Sequence, residues 1–172
     1  DMTGNDGVSG AVLLDYRGLL DPVTIQVDGE LNTGSVDKGS AGTDTMVGVA
    51  QPLAAGWNVG GLYLAGTLGN DSFVLAPDGE QWMRVRSHQG VDSYTINGTG
   101  LVRLDFRDAE NGIDVNLASG QINDDGFGNT ETIDGNGELW EVYGSFYDDT
   151  FTGSSADESY RYAGGSNTLD GG

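Results

Sequence analysis

Apolar and polar residues alternate at period two in a series of short runs, among them VTIQV (Val23–Val27), MRVRS (Met83–Ser87) and IDVNL (Ile113–Leu117). Alternation of this kind sends successive side chains to opposite faces and predicts half-buried strands. Clusters of Gly, Asn and Asp, which tolerate positive φ, separate the runs and predict turns. No window of about 11 residues or more keeps a helical period. The one helix candidate is the short stretch Pro52–Trp57.

The strand signals recur with a fixed step. An acid or amide, a hydroxyl residue and an apolar residue follow one another in Asp149-Thr150-Phe151, Glu158-Ser159-Tyr160 and Asn167-Thr168-Leu169, nine residues apart. Asp71-Ser72-Phe73 opens an earlier series, followed nine residues on by Glu80-Gln81-Trp82 and twelve further by Asp92-Ser93-Tyr94. A turn plus a strand of nine residues, repeated, predicts a parallel coil in which each strand pairs with the next rung.

A longer repeat encloses this one. LLDYRGLLDPVTIQVDGELNTG from Leu13 matches RLDFRDAENGIDVNLASGQIND from Arg103, GTDTM (Gly42–Met46) matches NTETI (Asn129–Ile133), and LAGTLGNDSF (Leu64–Phe73) matches VYGSFYDDTF (Val142–Phe151), in the same order. Two degenerate copies, 1–98 and 99–172, are expected within one continuous solenoid, the second shortened.

Charge narrows the function. Twenty-seven acidic against seven basic residues give a formal net charge of −20. Such a chain repels nucleic acid and anionic membranes, and its self-repulsion opposes compaction unless cations neutralise it. Thirty glycines point to many turns, while fifteen aromatic residues argue against disorder. With no cysteine there are neither disulfides nor thiolate metal sites. No apolar run approaches the roughly 18 residues of a membrane helix. A chain that opens at Asp1 without a leader pattern and closes on a glycine motif is expected to be part of a longer exported protein.

The GxxxxDxF blocks, the terminal GGSNTLDGG, and LDF…GIDVNLASG followed by GS…DDTFTG resemble the degenerate repeats of RTX, or haemolysin-type calcium-binding, proteins. They look most like the repeat modules of serralysin-like peptidases and large exported adhesins. The resemblance implies an all-β, right-handed parallel β-roll or β-helix of nonapeptide-type repeats. It also implies a secreted bacterial protein exported in the manner of type I substrates, and Ca²⁺ bound between successive turns. Glycine-lined turns expose carbonyl oxygens and the Asp supplies charge, which suits a hard cation that takes six or more oxygens. Carried over by position, the ligand role falls on Asp71, Asp92 and Asp149, with Asp6 and Asp148 in neighbouring turns, and the apolar role on Phe73, Tyr94, Phe151 and Leu169. Glu80, Glu158 and Asn167 depart from the Asp of the ideal unit.

One stretch runs against the charge. WMRVRSH places Trp82, Arg84, Arg86 and His88 on one strand face, with Arg103, Arg107 and Arg161 near by if coils stack in order. This face either binds an acidic polysaccharide, as an adhesion module would, or pairs its arginines with surplus carboxylates on adjacent rungs. The single His88, without a G-x-S-x-G elbow or an H-E-x-x-H pair, leaves enzymatic chemistry without its usual groups. The expected function is therefore a non-enzymatic structural module that folds and stiffens on binding external Ca²⁺.

Overall fold

The computed structural model describes residues 11–48, 61–137 and 139–172. Asp6, the first ten residues and the Pro52–Trp57 helix candidate lie outside them. The strands are β1 (Ala11–Asp15), β2 (Thr24–Asp28), β3 (Thr33–Asp37), β4 (Thr43–Val47), β5 (Gly61–Ala65), β6 (Ser72–Ala76), β7 (Trp82–Arg86) and β8 (Ser93–Ile96). They continue with β9 (Leu101–Asp105), β10 (Asp114–Asn116), β11 (Gln121–Asp124), β12 (Glu131–Gly135), β13 (Leu139–Tyr143), β14 (Thr150–Thr152), β15 (Ser159–Arg161) and β16 (Thr168–Asp170). Among the described residues, helix is confined to two single 3₁₀ turns, Gly39–Ala41 and Leu117–Ser119.

Two sheets hold these strands. One is parallel throughout, in the order β1-β5-β7-β9-β13-β15. The other is mixed, in the order β16-β14-β10-β11-β12-β8-β6-β2-β3-β4. The chain visits them in one order twice: parallel, three times mixed, parallel, mixed, parallel, mixed, first over β1–β8 and then over β9–β16. The mixed sheet accordingly reads as two five-strand blocks, β4-β3-β2-β6-β8 and β12-β11-β10-β14-β16, joined by the parallel β8–β12 pair.

The expectation of parallel coiling throughout is corrected at two places. β2-β3-β4 and β10-β11-β12 are antiparallel, because each block opens with strands that fold back before the chain crosses to the other sheet. The nine-residue step also has a different meaning. β14, β15 and β16 follow at that step, but they alternate between sheets. Hydrogen-bonded neighbours lie two steps apart: Glu141 pairs with Ser159 and Thr150 with Thr168. In β5–β7 the offset widens, Leu62 pairing with Met83.

Alternation then builds the core. Leu62, Leu64, Met83, Val85, Val102, Leu104 and Val142 of the parallel sheet join Ile25, Phe73, Leu75, Tyr94, Val115 and Ile122 of the mixed sheet in a single cluster. The apolar member of each triplet stacks on its equivalent: Ile25, Phe73, Tyr94 and Ile133 form one column, and Val115, Phe151 and Leu169 another. The Phe73 and Tyr94 rings stack with centroids 5.6 Å apart. Burying each such side chain stabilises the fold by about 1.5–3 kcal/mol. Phe73→Ala should cost about 3–5 kcal/mol in urea unfolding, since it empties a fully buried position. Leu169→Ala, at an exposed one, should stay within about 0.5 kcal/mol.

Candidate functional site

The residue immediately before each stacked strand of the mixed sheet forms a column of acids. Asp71 and Asp92 precede β6 and β8, and Asp149 and Asn167 precede β14 and β16. Each turns its side chain back to the preceding coil. The Val23 N–H donates to Asp71 Oδ1 (2.8 Å), the Asp71 N–H to Asp92 Oδ1 (2.7 Å) and the Ile113 N–H to Asp149 Oδ1 (3.0 Å). The Asp149 N–H donates to Asn167 Oδ1 (2.9 Å). An amide oxygen does this job as well as a carboxylate, so Asn167 is no departure: the position needs an acceptor, not a charge.

At Asp71 and Asp149 a hydroxyl residue four positions earlier completes the staple. Thr67 N–H and Oγ1 donate to Asp71 (2.6 and 2.9 Å), and Ser145 N–H and Oγ donate to Asp149 (3.0 and 2.5 Å). Ser154 N–H and Oγ donate to Glu158 in the same way. The hydroxyl in turn accepts the N–H two residues on, from Gly69, Tyr147 and Ala156. The recurring pattern is Gly-[Ser/Thr]-x-x-x-[Asp/Glu], in GTLGND, GSFYDD and GSSADE. Its glycine is steric: a Cβ at Gly66 or Gly144 would lie 2.3 Å from Asp71 Oδ2 or Asp149 Oδ2. The serines and threonine were missed in the sequence, although this spacing was there to be counted.

One rung breaks the pattern. Glu131, before Thr132 of β12, carries one methylene more than Asp and meets the Asp92 side chain instead of a backbone N–H. Both carboxyls are buried, and Tyr94 donates its hydroxyl to Glu131 Oε2 (3.0 Å). Among the described residues neither Asp92 Oδ2 nor Glu131 Oε1 has a donor. Burial, then the charges of Asp92 and Asp125, push Glu131 up to about 9. Burial, with the charge of Asp71 adding to it, raises Asp92 to about 7. Burial and mutual repulsion thus favour the protonated form at this rung.

The outer face of the parallel sheet holds the other cluster. Arg84 Nε (2.8 Å), Arg86 Nη2 (3.0 Å) and Arg107 Nη2 (2.7 Å) converge on Asp105 Oδ2. Arg103 and Arg161 both pair with Glu141. Burial pushes the Asp105 carboxyl up, but Arg107, Arg86 and Arg84 together outweigh it and hold the pKa at about 2. Aromatic rings fill the gaps. Arg84 lies over Tyr63 (4.8 Å), Arg103 over Trp82 and Trp140 (5.0 and 5.5 Å), and Arg107 over Tyr143 (4.2 Å).

The structure therefore brings Trp82, Arg84 and Arg86 onto one face and adds Arg103, Arg107 and Arg161 to it. His88 is past the end of β7 at φ 73°, its Nδ1 against Asp108. Asp71 and Asp149 are brought into one kind of environment, Asp92 shares only the backbone N–H of the preceding coil, and the three do not meet at one point. For Asp71 and Asp149, N–H and O–H donors occupy both carboxylate oxygens, which does not suit a cation ligand. Asp148 is exposed, and one of its oxygens accepts the Ser166 N–H of the next turn (2.6 Å). No group of three or more Asp, Glu or His side chains is arranged to hold a metal ion among the described residues. Comparison with protein-family models, curated proteins and solved structures found no match.

The Asp92–Glu131 pair makes stability fall with rising pH. Both groups have pKa values above the ordinary carboxyl range near 4, so the folded state holds protons that the unfolded chain releases, an advantage complete below about pH 4 and lost progressively as pH climbs to about 7 for Asp92 and about 9 for Glu131. Melting temperatures measured from pH 6 to 10 should decline in the native chain. They should decline less in Glu131→Gln, whose amide supplies a permanent donor to Asp92.

Proposed function

We propose that this chain is a non-enzymatic structural module, a run of parallel β-roll of the RTX type within a secreted bacterial protein, and that external Ca²⁺ raises its stability. The observation that carries the structural reading is the staple itself. The acids that would otherwise suggest a metal or catalytic surface accept N–H and O–H donors from their own turn and from the preceding coil. Residues placed to hold one rung to the next suit a stiff spacer whose product is shape.

Calcium enters this reading by linkage. A cation bound only by the folded state stabilises it, and a net charge of −20 leaves the folded chain with repulsion for a cation to relieve. With Asp71 and Asp149 already engaged, the contribution of this chain would come from outward turns such as that of Asp148. At low cytosolic Ca²⁺ the chain would be less stable and easier to export, and outside the cell it would stiffen.

Circular dichroism and thermal melting in millimolar Ca²⁺ against excess chelator test the proposal. The expected result is a higher melting temperature with Ca²⁺, reduced in Asp148→Asn. Superimposable melts would remove calcium from the reading and leave the structural module standing.

A further inference from the structure

Six of the chain's seven basic residues lie on or beside one face. Arg84, Arg86, Arg103, Arg107 and Arg161 occupy the outside of the parallel sheet or its margin, Arg17 follows β1 at its edge, and only Lys38 is elsewhere. Depth matters more than number here. The Asp105 and Glu141 side chains are 0% and 2% exposed, while Arg107 is 29% and Arg161 53% exposed. The carboxylates form the floor and the guanidinium groups the surface. Three arginines share Asp105, Arg86 also reaching Asp108 (3.5 Å), and two share Glu141, so each cluster keeps one surplus positive charge and unused N–H donors.

Tyr143 sits where the clusters meet. The Arg107, Arg161 and Arg103 guanidinium carbons lie 4.2, 5.5 and 5.9 Å from its ring centroid. We propose that this platform, Tyr143 flanked by Arg107 and Arg161, binds an anionic oligosaccharide carrying carboxylate or sulfate groups. A uronic or sulfated sugar presents anionic groups at fixed spacing on a rigid ring, and the platform presents guanidinium forks held in place over Tyr143. Acidic peptides carry carboxylates on flexible stems, which lose more freedom on being ordered against fixed guanidinium groups. Nucleic acid, with a charge about every 1.7 Å, would run from the platform onto a surface dominated by acids. A short glycan segment stays on the platform, since the negative field of the remainder decays over about 8 Å at physiological ionic strength. The inference is independent of the calcium reading.

Affinity electrophoresis tests it, on protein shown to be folded by circular dichroism, with hyaluronate, heparin, neutral dextran and polyglutamate in the gel. Hyaluronate or heparin should retard the native chain at low salt, and dextran should not. Arg161→Gln and Arg107→Gln should each weaken retardation about tenfold, while Lys38→Gln, an equal charge change elsewhere, should stay within about twofold. Absence of retardation by both anionic glycans overturns the proposal. So does equal retardation by polyglutamate, or unchanged retardation of the two arginine variants. If Arg107→Gln fails to fold, Arg161→Gln, at a half-exposed position, decides alone.

Discussion

Everything in this molecule depends on how one coil is held to the next at the corner before a mixed-sheet strand. Strand pairing supplies part of that hold, but the backbone N–H at the corner precedes the ladder and would be left buried without an acceptor, a deficit costing about 1–3 kcal/mol at each rung. The acid or amide at that position cures it from the next coil. At Asp71 and Asp149 a hydroxyl four residues earlier then fixes the acceptor from the other side. Position, and not charge, is what the corner requires.

This constraint explains what could be read from the chain beforehand. The nine-residue phase was legible because the corner acceptor, the strand's hydroxyl and its buried apolar residue are adjacent in sequence. Strands such as VTIQV and MRVRS were legible by alternation. The fold-back strands were not, because TGSVD of β3 and QIND of β11 carry only a weak alternation and differ little from the turn-rich sequence around them. Nor was the inward direction of Asp71 and Asp149. A glycine-flanked aspartate looks the same whether its oxygens meet a cation or an N–H, and only the stacking of coils decides between them.

The arginine face was half legible for a related reason. Period-two spacing put Trp82, Arg84 and Arg86 together, but their partners lie on other coils. Arg86 meets Asp105 and Arg103 meets Glu141, pairings set by strand register. The overall charge of −20 is an average over the surface and does not describe the strip where acids lie beneath bases.

The two-block construction of the mixed sheet has a consequence for how such a chain changes over time. The β8–β12 pair joins one block to the next through a parallel register, Tyr94 beside Ile133, with the buried Asp92–Glu131 contact at its start. A tandem duplication of the second block would bring Glu131 to the same border, there beside the Asn167 of the copy before it, whose amide can donate to that carboxyl. Length becomes a matter of copy number, adjustable by recombination without inventing a new interface, while residues inside each copy remain free to drift as far as the corner acceptors allow.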